Sequence, residues 1–309
     1  MKIRELATGL LFPEGPVAMD DGSVVLVEIA RGTLTRVTAD GRVQVLSQLG
    51  GGPNGAAIGP DGAVYVCNNG GFEFATEHDG CLRPIRQADA YTGGWIERVN
   101  LASGKAERLY DQVDGHPLRG PNDLVFSADG GFWFTDLGKV RARDMDRGGV
   151  YHARADGSAI SVVAAPAMTP NGIALSPDGR TLYYAETEGA RLWAFEIEAP
   201  GRLRKLPWPS PQGGRMVTAA PGGHYQRFDS IAVDALGNIC VATLLHGGIT
   251  VVSPDGRYCS HVPTQDRYTT NLCFGGKDMR TAFVTLSGVG KLIAIDEWPV
   301  PGLRLNFSA

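Results

Sequence analysis

No segment of ten or more residues in this 309-residue chain carries a 3.6-residue apolar period, which excludes long amphipathic helices as its framework. Cysteine is sparse: Cys67, Cys81, Cys240, Cys259 and Cys273 form an odd set with no CxxC, so neither a thiolate zinc site nor a disulfide framework is expected. Cys67, Cys240 and Cys273 lie inside apolar runs, where a thiol behaves as a small hydrophobe. Nothing approaches the roughly 18 consecutive apolar residues of a membrane span, and the opening MKIRELATGLLFPEGP holds no signal-peptide core. The 29 basic and 33 acidic residues are scattered, so no basic stripe offers a footprint for nucleic acid. Together these absences predict a cytoplasmic, disulfide-free protein that engages neither membrane nor nucleic acid and acts on a small molecule.

What is abundant is glycine, 42 residues without a collagen period, which points to many tight turns between short strands. Six segments repeat one pattern of polar opening, alternating apolar run, turn and second apolar run. They read FPEGPVAMDDGSVVLVE, GPNGAAIGPDGAVYVCN, GPNDLVFSADGGFWFTD, TPNGIALSPDGRTLYYAE, RFDSIAVDALGNICVAT and TTNLCFGGKDMRTAFVT. Four short strands per unit, six times over, predict an all-β fold: a six-bladed β-propeller of four-stranded antiparallel blades, spanning 1–309 as a single domain. The closing strand comes either from KIREL near the start or from LRLNF near the end.

Equivalent positions in successive blades are related by rotation about the channel axis. The opening residues Glu14, Asn54, Asn122, Asn171, Asp229 and Asn271 therefore meet at one height and one mouth. A narrow ring of oxygen-bearing side chains makes a poor apolar core and a good nest for a hard cation. Calcium, which accepts six to eight oxygens in loose geometry, is the first choice over magnesium, manganese or zinc. Any single Pro-Asn-Gly also serves as a turn, and the Pro-Asp-Gly sequences at Asp61, Asp178 and Asp255 belong to turns on the opposite face. Glutamate at Phe-Pro-Glu-Gly-Pro has no such role, since Glu is not a turn former.

The motifs PEGP at Glu14, PND at Asn122 followed by GGFWFTD, PNGIALSPDGRTLYYAE at Asn171 and FDSIAVDALGNICVAT at Asp229 stand in an order and spacing that resemble the senescence-marker-protein (regucalcin), gluconolactonase and luciferin-regenerating family. More distantly the chain is similar to diisopropyl fluorophosphatase and strictosidine synthase. The resemblance implies a hydrolase of small lactones or esters with one catalytic divalent cation. The ion would be held by Glu14, Asn122, Asn171 and Asp229, with Asp229 as the base that activates water. Phosphotriester hydrolysis on the same site, or a non-catalytic propeller braced by calcium, are the alternatives. One departure stands out: regucalcin-like members carry Arg two residues before the Asn of the PND-like motif, whereas this chain has Gly120 there and Arg119 one step earlier.

If inner strands begin at the metal mouth, loops after second strands roof it. The longest, GGFEFATEHDGCLRPIRQADAYTGGW after Asn69, is expected to be a lid with Tyr91 and Trp95 as apolar walls. Asn54, Asn69, Arg119 and His246 are the further candidates for substrate contact, and Asp136 and Glu186 are expected to border the mouth. GGGPNG at Gly50 matches a dinucleotide fingerprint, but it lacks the following helix such a site needs. There is no GxSxG elbow and no HExxH.

Overall fold

The computed structural model describes residues 1–308 and contains six four-stranded antiparallel blades arranged as a six-bladed β-propeller, the fourth carrying an extra two-residue strand, Arg202–Leu203. The innermost strands are Pro13–Ala18, Pro53–Ile58, Pro121–Phe126, Pro170–Leu175, Arg227–Val233 and Thr269–Gly275, one for each of the six repeated segments. A single 3-10 turn, Pro221–Gly223, is the only helical element among the described residues. Second strands such as Val24–Glu28, Val64–Asn68 and Gly131–Asp136 are buried along their whole length. Each is covered on both faces by neighbouring blades, so continuous apolar runs replace strict alternation. Between blades 2 and 3, for example, Tyr65 meets Phe126 at 5.0 Å and Phe132 at 5.9 Å.

The ring is closed by the start of the chain: Lys2–Ala7 pairs antiparallel with Lys291–Asp296 as the outermost strand of blade 6. The LRLNF segment has a different place. Leu303 N–H donates to Val233 O at 2.9 Å and Asn306 Nδ2 to Phe126 O at 3.0 Å, so this strap runs from blade 5 to blade 3 across the face that carries the Asp-Gly turns. Behind it lies a channel cavity of about 440 Å³ whose inner end is bounded by Gly15, Asp123 and Asn271.

Two further repeats position the opposite mouth. First, the register between inner and second strand shifts at or beside the opening residue in all six blades: Asn54, Asn122, Asn171 and Asp229 leave the ladder, while Glu14 and Asn271 stay paired with Val27 and Thr285 next to the shift. A bulge of this kind takes a residue out of the ladder and re-aims its side chain. Second, the last residue of the second strand ties down the loop that enters the inner strand. Glu28 accepts the N–H of Leu11, Asn68 that of Gly52, Asp136 those of Arg119 and Gly120, and Glu186 that of Met168. The rim acids Asp136 and Glu186 thus serve as loop anchors.

Candidate metal centre

The six bulges bring the opening residues together at the start of their strands. Glu14, Asn54, Asn122, Asn171 and Asn271 are buried, and Asp229 is partly exposed. Oε2 of Glu14 accepts the N–H of Gly15 at 2.7 Å and Nδ2 of Asn271 at 2.6 Å. Asn171 Nδ2 donates to Thr187 Oγ1 at 3.0 Å, and its backbone carbonyl accepts Thr135 Oγ1 at 2.5 Å. Close approach of neighbouring inner strands makes this crowding possible. A Cβ on Gly15 would lie 2.5 Å from Asn54 O, and one on Gly55 would lie 2.6 Å from Asn122 O. Gly15 also has φ +51, so glycine is required there on both counts.

The electrostatics show how close the acids are. Burial pushes the Glu14 carboxyl up to about 8, against the lowering effect of its bonds from Asn271 and Gly15. Burial likewise raises Asp229 well above the carboxylate range, and the neighbouring Glu14 charge raises it further. Asp123 joins them: it is buried, held up to about 7 by desolvation, and its own charge adds to the rise at Glu14 and Asp229.

Whether a cation fits can be judged from the polar atoms. Oδ1 of Asn122 and Oδ1 of Asn171 are buried with no hydrogen-bond partner. Such orphaned acceptors cost about 1–3 kcal/mol each unless something satisfies them. Two neutral oxygens without donors, beside two carboxylates that disfavour each other's charge, match the needs of a hard divalent cation. Among the described residues no group of three His, Cys, Asp or Glu side chains is placed to hold a metal ion.

The other predicted residues have varied places. Asn54 completes the ring in blade 2. Asn69 is buried, with Oδ1 accepting Gly71 N–H at 2.8 Å and Nδ2 unpartnered. The exposed Arg119 lies on the loop entering blade 3, and its carbonyl accepts the Tyr91 hydroxyl at 2.7 Å. Tyr91 flanks Lys139, whose Nζ lies 4.8 Å from its ring. Trp95 is not brought to the ring of opening residues. It begins the third strand of blade 2, Trp95–Val99, and stacks under Arg108 of the outermost strand at 4.2 Å. His246 belongs to a rim cluster on blade 5, 4.6 Å from His224 and 4.1 Å from His261, ring to ring.

The expected lid is an ordered hairpin, Phe72–Thr76 paired with Leu82–Gln87. It extends from blade 2 past blade 1 to blade 6, where Leu82 N–H donates to Gly288 O at 2.8 Å and Arg267 Nη1 to Asp79 at 2.8 Å.

Sequence reasoning missed Asp123 and Lys139. A signal for Asp123 was present: the residue after the opener is glycine in blades 1, 2 and 4 (Gly15, Gly55, Gly172), and an acid only in blade 3. Lys139, 2% exposed, gave none; its burial depends on Phe72 and Tyr91 of a distant loop.

Comparison with known proteins gives a concordant result. The family profile described as SMP-30/Gluconolactonase/LRE-like region matches residues 12–288. A gluconolactonase of Zymomonas mobilis is 25% identical over 313 residues, covering 92% of this chain and 79% of that protein. The diisopropyl-fluorophosphatase of Loligo vulgaris is 33% identical over 175 residues, 52% of this chain and 53% of that one. Among solved structures, a gluconolactonase from Xanthomonas campestris shares the fold with a TM-score of 0.73 at 24% identity, covering 97% of this chain and 89% of that chain.

Proposed function

This chain belongs to the SMP-30/gluconolactonase/LRE-like family, and on that premise we propose that it hydrolyses small lactones or esters with one divalent cation, calcium first. The observation that carries the reading is the pair of partnerless buried oxygens, Asn122 Oδ1 and Asn171 Oδ1, beside the carboxyls of Glu14 and Asp229. Those four residues would hold the ion, which when bound would polarise the substrate carbonyl and acidify water.

The chain's own groups do the rest. Asp229, the partly exposed member of the four, takes the proton of the attacking water and returns it to the leaving alkoxide, as general-base catalysis requires of a carboxylate within hydrogen-bond reach. Glu14 supplies the second negative charge and is oriented by Asn271 and Gly15. The neutral asparagines add oxygens without charge, so positive potential is left for the developing oxyanion. Asp123, its carboxyl held up to about 7 by burial, lines the channel cavity beside the centre.

The test is turnover of a lactone panel before and after chelation, alongside Asp229→Asn. Chelation should abolish activity and calcium should restore it. Asp229→Asn should lower kcat by about 10²–10⁴. Full activity in the chelated protein would end the metal reading, and a fully active Asp229→Asn would remove that residue as base. The likeness to the diisopropyl-fluorophosphatase of Loligo vulgaris makes phosphotriesters the second substrate class to include in the panel. Tight calcium binding with no turnover of any ester would leave a cation that only braces the channel.

A further inference from the structure

We infer that the site takes lactones or esters bearing an apolar substituent, which packs on an aromatic wall formed by Phe12, Phe72, Phe74 and Tyr268. This rests on the hydrolase reading above and adds a substrate class to it.

The wall stands over one corner of the metal centre. Phe12 precedes Glu14 by two residues and Tyr268 precedes Asn271 by three, and Glu14 and Asn271 are themselves bonded at 2.6 Å. Phe12 meets Phe74 of the hairpin at 5.3 Å and Tyr268 at 6.3 Å, while Phe72 and Phe74 meet edge to face at 6.4 Å. Phe72 and Phe74 are two apart in one strand, so they share a face, and with Tyr268 they are only half-buried. Aromatic surface left open beside a polar centre is what an apolar ligand group would cover.

The wall is also fixed. Lys139 Nζ lies 4.2 Å from the Phe72 ring and donates to Gly71 O at 3.3 Å, holding the hairpin at its root. Arg267 holds the tip through Glu77 and Asp79. Phe12 itself has φ +56, a left-handed conformation that a bulky residue adopts only under constraint. Blades 2 and 3 have Gly52 and Gly120 at the corresponding position, so the buried phenylalanine in blade 1 backs Phe74 and Tyr268 where glycine would be less strained.

Polar recognition on this side is correspondingly poor. The rim acids that could meet hydroxyls are already committed: Glu28 to Leu11 N–H and Arg31, Asp266 to the N–H groups of Tyr268 and Val289. A polyhydroxy lactone lying here would lose water from its hydroxyls without replacement, a penalty an alkyl or aryl group does not incur.

The experiment compares kcat/KM of the calcium-loaded protein for γ-nonalactone, γ-butyrolactone and glucono-δ-lactone. A fully buried methylene is worth up to about fourfold, so the pentyl-substituted lactone should exceed butyrolactone by at least about tenfold, with gluconolactone lowest. Phe74→Ser should lower kcat/KM for nonalactone about tenfold more than for butyrolactone. Tyr268→Ser, on a separate element, should do the same and covers the case of a misfolded hairpin variant. If gluconolactone is turned over at least as fast as nonalactone, or if both variants leave the ratio unchanged, this inference fails while the hydrolase reading stands. If no lactone is turned over, the hydrolase reading fails and takes this inference with it.

Discussion

Glu14 of the first blade and Asn271 of the last are joined side chain to side chain, Nδ2 of Asn271 donating to Oε2 of Glu14 over 2.6 Å. With Gly15 N–H on the same oxygen, Oε1 is the atom left to meet a ligand. Asn271 is thus an orienting group behind a proposed metal ligand, a position where substitutions typically cost 10–100-fold in metal affinity. Asn271→Leu should weaken calcium binding by about that factor in a calorimetric titration, while the far-ultraviolet spectrum keeps its strand signature. Unchanged affinity would mean that Glu14 does not need this bond to serve.

Asn122 offers a crossed prediction. Its Oδ1 is buried and unsatisfied, so in chelated protein Asn122→Leu removes an orphan acceptor and should raise stability by about 1 kcal/mol. With calcium present the order should reverse, because the variant lacks one donor to the ion and gains less from it. Thermal melts with and without calcium read both signs. A variant destabilised equally in both conditions would deny Oδ1 a role in binding.

The acids make metal-free stability depend on pH. Glu14 is held near 8 against an ordinary 4.5, Asp123 near 7 against 3.8, and Asp229 is raised as well, so between about pH 4 and 8 the folded chain binds more protons than the unfolded one. Stability fully present below about pH 4 from these groups is therefore lost as pH rises through 8. Chelated protein should show a Tm that falls from pH 5 to pH 8, a fall that calcium flattens. Calcium affinity should rise over the same window, since loading the site expels protons. A chelated Tm that climbed toward pH 8 would contradict the burial of these carboxyls.

Lys139 tests the hairpin from the opposite sign. Burial pushes its ammonium down to about 7, despite the opposing pull of Asp136 and Asp146. The unfolded chain binds the extra proton between about pH 7 and 10.5, so this residue's penalty is greatest below 7 and eases as pH rises. Lys139→Met should be more stable than the parent at pH 6, with the difference shrinking by about 2–3 kcal/mol toward pH 9. Denaturant midpoints at the two pH values measure it. A pH-independent difference would place the amine in water.

The blades were legible in the sequence because the rotational repeat writes the same short word six times, from PEGP to TTNLCF, and because each word begins with an oxygen-bearing side chain. The ring of Glu14, Asn54, Asn122, Asn171, Asp229 and Asn271 follows from that repetition, whereas singling out Glu14, Asn122, Asn171 and Asp229 as ion-holders rests on the family resemblance. What lies between the words was harder to read. Phe72 and Phe74 form a regular hairpin, yet the Gly-rich flanks of that segment suggest an irregular loop. Trp95 reads as a wall residue until the third strand is seen to begin there, which turns the ring toward Arg108. The choice between KIREL and LRLNF depended on which of two short apolar segments finds an open strand edge, and Lys291–Asp296 offers it to Lys2–Ala7.

That pairing has a consequence for assembly. Residues at the start of the chain find their last neighbours only in the final blade, so the seam of the ring joins its two most distant segments. Deleting Lys2–Ala7 would leave Lys291–Asp296 as a bare edge able to recruit strands from other chains. It would also loosen the seam where Glu14 and Asn271 meet, so the molecule should lose solubility and calcium together, not one after the other.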